Sequence, residues 1–165
     1  MTETQTSTTT QVHRVWIKAS VQRVWDAITD AEWNGRYGYG APSQYDLRPG
    51  GLFLVRPSAQ MIEFGANDPL IDGEVVEADP PTRLVQTWHA RFNDETIAEP
   101  ASRLTWELAD VNGVTTLTVT HELIGAPATA SFTDGSKVGE AGGGWPFLLS
   151  DLKTFLETGR SMAGA

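Results

Sequence analysis

The sequence predicts an α+β fold in which a curved antiparallel sheet wraps around one long C-terminal helix. Most of the chain consists of short strand-like segments whose connections are too short for helical crossovers. The last apolar segment has helical spacing instead, because Trp145, Leu148, Leu149 and Leu152 lie on one helix face. A sheet that covers a single helix must curl, and a curled sheet leaves room beside that helix.

The length and composition fit one folded domain. The chain has 165 residues, of which 40% are hydrophobic and 20% are charged, so it can bury a core without metal or disulfide support. It contains no cysteine, which excludes disulfides, thiolate zinc sites and a cysteine nucleophile. No apolar segment is long enough for a membrane-spanning helix. We expect a single domain over residues 12–160.

The two ends of the chain have the composition of unstructured segments. Residues 1–11 contain no basic residue and no apolar core, so they are neither a signal peptide nor a transit peptide. We expect a disordered tail at residues 1–11 and a frayed C terminus at residues 161–165. The expected location is the cytoplasm.

The charge balance argues against a nucleic-acid partner. The chain carries 12 basic and 21 acidic residues, for a net charge of −9. Its basic residues are scattered singly, so no local patch opposes the repulsion between the protein and a phosphate backbone.

The first elements are one strand and two short helices. β-Branched and aromatic residues predict a strand over 12–18, with His13, Val15 and Ile17 on one face. Ser20 fits the N-cap of an amphipathic helix over 21–30, and a second helical turn follows until Gly35.

The remaining elements are strands until the last helix begins. Turn residues such as Pro49-Gly50-Gly51 and Asp79-Pro80-Pro81 separate the apolar runs, and Asn112-Gly113 is the strongest hairpin signal in the chain. The predicted strands cover residues 45–47, 52–56, 71–78, 84–92, 103–109 and 115–123. The last helix begins near Trp145 and ends at Gly159, after a glycine run that allows close packing.

A series of short motifs runs along these elements. In order, they are VWDAITD at residues 24–30, GGLF at 50–53, GEVVE at 73–77, PPTRL at 80–84, TW at 87–88, LTWEL at 104–108 and GW at 144–145. Together they resemble the domain found in activators of the heat-shock-protein-90 ATPase and their bacterial homologues. The resemblance covers most of residues 12–160.

The resemblance implies a helix-grip fold of the START and Bet-v-1-like superfamily, with a hydrophobic cavity between the sheet and the last helix. Proteins that are similar in shape include lipid and polyketide binders, aromatase/cyclases and chaperone activators. Because one fold serves several activities, the function has to be argued from the site.

Most familiar catalytic and metal-binding patterns are missing from the sequence. His13, His89 and His121 have no metal-ligand spacing, and Trp145-Pro146 stands where a phosphate-binding loop needs Lys and Ser or Thr. No serine lies in a G-x-S-x-G motif, and no pair of carboxylates stands out for glycoside chemistry. We therefore expect no metal and no cofactor.

The tryptophans are the positive signal. Trp25 and Trp145 lie on helix faces where core packing is expected, and Trp16 shares its face with Arg14 and Lys18 on the outside of the sheet. Trp88 and Trp106 alternate onto strand faces that point toward the last helix. The sequence leaves open whether these two rings fill the interior or line a pocket.

The candidate ligand-binding residues combine this aromatic set with polar neighbours on the same faces. A buried Tyr, Gln or His can hydrogen-bond a ligand carbonyl or hydroxyl inside an apolar cavity. The candidate residues are Tyr45, Phe53, Gln86, Trp88, Trp106, His121, Trp145 and Leu149.

Three functions are compatible with these residues. The favoured hypothesis is a protein that binds a small apolar or aromatic molecule without catalysis, as a monomer or a homodimer. The second is an aromatase/cyclase type of enzyme in which His121 or Tyr45 moves a proton. The third is an interaction module whose partner is a chaperone.

Overall fold

The computed structural model describes residues 8–136 and 143–162. Its strands are β1 (Thr8–Ile17), β2 (Ser43–Tyr45), β3 (Leu52–Val55), β4 (Ile71–Asp79), β5 (Arg83–Ala90), β6 (Ser102–Val111) and β7 (Val114–Ile124). Its helices are α1 (Val21–Thr29), α2 (Ala31–Asn34), α3 (Ala59–Glu63), α4 (Asp94–Ala98), α5 (Pro127–Thr133) and α6 (Gly144–Thr158).

The strands form one antiparallel sheet of seven strands in the order β1-β7-β6-β5-β4-β3-β2. Its inner face packs on α1 and α6, and the buried face of α6 carries Trp145, Leu149, Leu152 and Leu156. The predicted antiparallel sheet with one long C-terminal helix is therefore confirmed.

The predicted helix signals of the first half are confirmed. The Ser20 hydroxyl accepts a hydrogen bond from the backbone N–H of Arg23 and caps α1. Asp30 caps α2, which ends at Gly35. Helix α1 buries one apolar face, which includes Val24, Trp25 and Ile28.

Strand β1 begins earlier than the sequence analysis predicted. It starts at Thr8, four residues inside the segment expected to be a disordered tail, and Thr8 pairs with Ile124 of β7. Threonine suits a strand because of its branched β-carbon, and the long partner strand β7 provides the pairing. The rest of the expected tail, residues 1–7, lies outside the described residues.

The strand faces agree with the alternation in the sequence. Gln86 and Trp88 of β5 and Trp106 of β6 are buried, whereas Trp16 on the outer face of β1 is 52% exposed. The one register shift lies in β4, between Val75 and Glu77, so it leaves the inward sets of β5 to β7 unchanged. Strand β2 covers residues 43–45 rather than the predicted 45–47.

Glycines allow two close approaches that position the site. A β-carbon on Gly73 would lie 2.1 Å from the Thr87 carbonyl oxygen, so only glycine allows β4 to lie this close to β5. At the start of α6, Gly144 has a φ of 60°, and a β-carbon there would lie 2.4 Å from the Thr133 carbonyl oxygen. The expected close packing of α6 is therefore observed.

The sequence analysis missed three short helices. Helices α3 and α4 begin at the side-chain caps Ser58 and Asn93, and α5 begins at Pro127. Each has seven residues or fewer, which is too short for a clear helical period.

The end of the chain was expected to fray from Ser161. Instead, the Ser161 hydroxyl and the Met162 backbone N–H both donate hydrogen bonds to the buried carboxylate of Asp151 on α6. The expectation was wrong at these two positions because a charged acceptor inside α6 binds them. Residues 163–165 lie outside the described residues.

Candidate functional site

A cavity of about 340 Å³ lies between the inner face of the sheet and α6. This volume is in the range of sites that bind small molecules. Aromatic rings dominate its lining, among them Tyr45, Phe53, Trp88, Phe92, Trp106 and Trp145. No Asp, Glu, Lys, Arg or His side chain lines it among the described residues.

One side of the cavity is a cluster of three indole rings, Trp88, Trp106 and Trp145, which we call the tryptophan wall. Strands β5 and β6 carry the first two rings, and the first turn of α6 carries the third. The Trp145 ring centre lies 5.4 Å from that of Trp106, nearly perpendicular to it, and 6.2 Å from that of Trp88. These edge-to-face and tilted contacts are favourable for aromatic rings.

Gln86 does not line the cavity, but it binds two residues that do. Its Oε1 accepts hydrogen bonds from the Tyr45 hydroxyl at 2.8 Å and from the Trp106 indole N–H at 3.0 Å. Gln86 is fully buried. The amide therefore fixes the orientation of a ring on β2 and of another on β6.

His121 holds the third indole in the same way. Its Nδ1 accepts a hydrogen bond from the Trp145 indole N–H at 3.0 Å, and its Nε2 lies 2.7 Å from the Ser102 hydroxyl oxygen. The Ser102 hydroxyl in turn donates to the Trp88 carbonyl oxygen, so His121 Nε2 carries the proton. This places a neutral imidazole behind the tryptophan wall.

Burial controls the ionisation of these groups. Desolvation, followed by the nearby His13, lowers the pKa of His121 to about 3, so the ring is neutral at physiological pH. Burial also raises the pKa of Tyr45 far above its ordinary value. Neither group can exchange a proton readily near neutral pH.

The eight candidate residues divide into two groups. Tyr45, Phe53, Trp88, Trp106 and Trp145 line the cavity. Gln86, His121 and Leu149 are buried behind its surface, as the hydrogen bonds of the first two show. Trp88 and Trp106, 7% and 5% exposed, belong both to the core and to the cavity lining.

Two further segments of the cavity lining were missed by sequence reasoning. They are residues 35–42, which carry Tyr37 and Tyr39, and residues 58–66, which carry Met61. We call these two segments the cover. The run WNGRYGYGAP at residues 33–42 holds a usable signal, because aromatic residues separated by glycines favour a loop that packs its rings.

The cover is attached to α6 by hydrogen bonds. The Gly38 backbone N–H donates to the Asp151 carboxylate at 2.7 Å, and the Tyr39 hydroxyl donates to the Gly144 carbonyl oxygen at 3.0 Å. Helix α3 has no buried residue, and the adjacent Phe64 is 83% exposed.

The described parts of the chain hold neither a metal-ligand cluster nor a membrane-spanning helix. No group of three or more His, Asp or Glu side chains there could hold a metal ion. No helix there is both long and apolar enough to cross a bilayer.

Three solved structures illustrate the similarity of this fold to known proteins. CalU16 from Micromonospora echinospora is 21% identical over 94% of this chain and 87% of its own, with a TM-score of 0.62. Protein MLL2253 from Mesorhizobium loti is 19% identical over 90% and 97%, with a TM-score of 0.68. PFC0360w, an HSP90 activator from Plasmodium falciparum, is 21% identical over 90% and 96%, with a TM-score of 0.62. At these identities the similarity shows the shared helix-grip fold alone.

The sequence comparisons give the family. No curated protein sequence matches the chain. A sequence model described as activator of Hsp90 ATPase homolog 1-like protein matches residues 18–157, which include the tryptophan wall and the cover. The chain therefore belongs to the activator of Hsp90 ATPase homolog 1-like family, as its motifs indicated.

Proposed function

We propose that the chain binds an uncharged, predominantly aromatic small molecule in the cavity between the sheet and α6. The observation that supports this most strongly is the aromatic lining, which contains no charged side chain among the described residues. Burial of an aromatic ligand against aromatic walls is favourable, whereas a charged ligand would lose its hydration without a partner.

The candidate residues take two roles in this proposal. Tyr45, Phe53, Trp88, Trp106 and Trp145 contact the ligand directly. Gln86 and His121 orient three of these rings through hydrogen bonds, and Leu149 packs in the core on the buried face of α6. This division follows from the lining of the cavity and from the hydrogen bonds of the two polar groups.

The hydrogen bonds favour binding over acid–base catalysis. An enzyme of the cyclase type would need His121 or Tyr45 to move a proton. Both nitrogens of His121 already have partners, and the single hydroxyl proton of Tyr45 is directed at Gln86. Their shifted pKa values also keep both groups neutral near pH 7.

A matched pair of dyes tests the proposal. Phenylnaphthylamine is uncharged, and anilinonaphthalene sulfonate is the same ring system with an added anionic group. We expect the neutral dye to bind with a blue-shifted fluorescence, and we expect the anion to bind at least roughly tenfold more weakly, or about 1.4 kcal/mol. Equal binding of both dyes would contradict an uncharged site.

A cavity-filling variant locates the bound dye. Ala41 lines the cavity, so Ala41→Phe should weaken binding of the neutral dye by roughly tenfold or more, about 1.4 kcal/mol. Ala109→Phe, at an exposed position of β6, is the matched control and should leave the affinity unchanged. Equal affinities in the two variants would place the dye elsewhere on the protein.

A chaperone partner is a second candidate function, favoured by one observation on the cover. Phe64 is 83% exposed and Ile62 is 51% exposed, and apolar side chains that remain this exposed often mark contacts between proteins. If this candidate is correct, the protein should stimulate the ATPase rate of a purified Hsp90-type chaperone, and Phe64→Ser should abolish that stimulation. A wild-type protein without effect on the ATPase rate would eliminate this candidate.

A further inference from the structure

The three indole N–H groups of the tryptophan wall differ in their partners. Trp106 donates to Gln86 and Trp145 donates to His121. The Trp88 indole N–H donates to no group of the described residues, although the ring is only 7% exposed. Among the described residues, two fully buried side-chain nitrogens have no hydrogen-bond partner, Nε2 of His13 and Nε2 of Gln86. The Trp88 nitrogen is not one of them, so it retains access to open space.

The other hydrogen-bonding side chains of the lining are almost all committed within the protein. The phenol groups of Tyr37, Tyr39 and Tyr45 donate to the Ala27 carbonyl, the Gly144 carbonyl and Gln86, respectively. The Asn34 amide and the Thr133 hydroxyl also have partners. Among the described lining side chains, the Ser43 hydroxyl is the one polar group besides the Trp88 indole that takes part in no hydrogen bond.

We propose that the Trp88 indole N–H donates a hydrogen bond to the ligand and thereby selects aromatic molecules that carry a carbonyl or similar acceptor over the corresponding hydrocarbons. This inference rests on the proposed function, because it names a polar specificity contact within the same cavity. An indole N–H can donate but not accept, so the matching ligand group must be an acceptor.

The position of Trp88 makes such a contact selective. An acceptor that enters an apolar cavity loses its hydrogen bonds to water, and it regains one only if a donor is free. The Trp88 ring packs edge-on against His121 and Phe92, with ring centres at 5.0 and 6.1 Å. These contacts hold the ring, and therefore its N–H, in one orientation.

Tetralone and tetralin form the probe pair, because they share one fused ring system and differ by a carbonyl group. Their affinities are measured by isothermal titration calorimetry for the wild-type protein and for Trp88→Phe, which keeps an aromatic ring but lacks the N–H. Trp88→Phe also removes apolar contact area, so the affinities of both probes should fall. The decisive quantity is the ratio of the tetralone affinity to the tetralin affinity, which we expect to fall by roughly three- to tenfold, the range for one hydrogen bond.

Two control variants separate the alternatives. Trp33→Phe, at a ring 39% exposed on α2, should change neither affinity. Ser43→Ala should also leave tetralone binding unchanged, and a selective loss in this variant would assign the contact to Ser43 and overturn the proposal. Equal losses of tetralone and tetralin in Trp88→Phe would likewise overturn it, although the proposed function would stand.

A spectroscopic measurement on the wild-type protein detects the contact directly. Each indole N–H gives one cross-peak in a ¹H–¹⁵N spectrum, and the Trp88 peak is identified by its loss in Trp88→Phe. We expect tetralone, but not tetralin, to move the Trp88 indole proton downfield. The same shift with both compounds would contradict a carbonyl contact. If neither compound binds the wild-type protein, both the proposed function and this inference are wrong.

Discussion

The tryptophan wall and the cover, two parts of the cavity lining, are built differently. On the tryptophan wall, each ring is at most 7% exposed, and Gln86 and His121 bind two of the three indoles from behind. On the cover, Tyr39 is 37% exposed, and α3 has no buried residue at all. The wall is therefore wholly part of the hydrophobic core, whereas the cover combines one core ring, Tyr37, with exposed surface segments.

This difference implies that the two parts open at different free energies. Segments with few buried contacts open at a lower free energy than core strands. Under the proposed function, a ligand enters by displacement of the exposed part of the cover, and the rings of the wall select which molecules are retained.

The contrast is sharpest between one ring of the wall and one ring of the cover. Trp145→Ala removes a buried indole and its hydrogen bond to His121, so we expect a loss of about 3–5 kcal/mol in the free energy of unfolding. Phe64→Ala should change it by less than about 0.5 kcal/mol, because this ring is 83% exposed. Urea denaturation of both variants measures the difference. Similar losses of unfolding free energy would show that the wall and the cover contribute equally to stability.

A substitution at Gln86 tests whether the tryptophan wall needs the buried amide oxygen that accepts hydrogen bonds from Tyr45 and Trp106. Gln86→Leu leaves the Tyr45 hydroxyl and the Trp106 indole N–H without their partner, which should cost roughly 2–3 kcal/mol. Gln44→Leu, at an exposed position of β2, is the matched control and should be nearly neutral. A stable Gln86→Leu protein would show that the amide is not needed to hold the rings.

His121 makes the stability of the wall depend on pH. Its pKa is about 3 in the folded protein and 6.5 ordinarily, so below pH 6.5 the unfolded chain binds a proton that the folded chain does not. Stability should therefore fall as the pH falls, by roughly 2 kcal/mol between pH 7 and pH 5, since one pKa unit corresponds to about 1.4 kcal/mol.

The variant His121→Gln isolates this contribution. Denaturation of the variant over the same pH range should show a flatter profile, whatever its absolute stability. An equally steep profile would assign the pH dependence to other groups, such as His13, whose pKa is also lowered by burial.

Asp151 gives the smallest expected effect and concerns the cover. Its carboxylate accepts hydrogen bonds from the backbone N–H groups of Gly38 and Met162 and from the Ser161 hydroxyl. In Asp151→Asn one oxygen acceptor is lost, so we expect roughly 1 kcal/mol of destabilisation. Hydrogen exchange should become faster at residues 35–42 but not in β5 or β6. Unchanged exchange at residues 35–42 would show that this bond does not hold the cover in place.

Much of the fold could be predicted because its signals are local. Ser20 and Asn112-Gly113 specify a cap and a turn through their own backbone preferences, and the structure confirms both. The strand faces of Trp88 and Trp106 followed from alternation and also agree with the structure. Within the cover, residues 58–66 were missed because the short helix α3 buries nothing and so leaves no apolar period.

The candidate site could be predicted only in part. Alternation identified Gln86 and His121 as inward-facing, but it could not show that their polar atoms are already bound to Trp106 and Trp145. Such pairings depend on the distance between strands and on the position of α6. For the same reason, nothing in the sequence distinguished the N–H of Trp88 from those of the other two indoles.

The order of the strands and of α1, α2 and α6, the inward faces of the strands and the apolar face of α6 all follow from sequence alone, because these features depend on periods that each segment carries within itself. Only the tertiary structure decided that a volume of about 340 Å³ remains open beside α6. It also decided which inward groups reach that volume and which bind one another. A cavity is the space left between surfaces that distant segments contribute. Its size therefore depends on the curvature of the sheet and on how closely α6 packs against it.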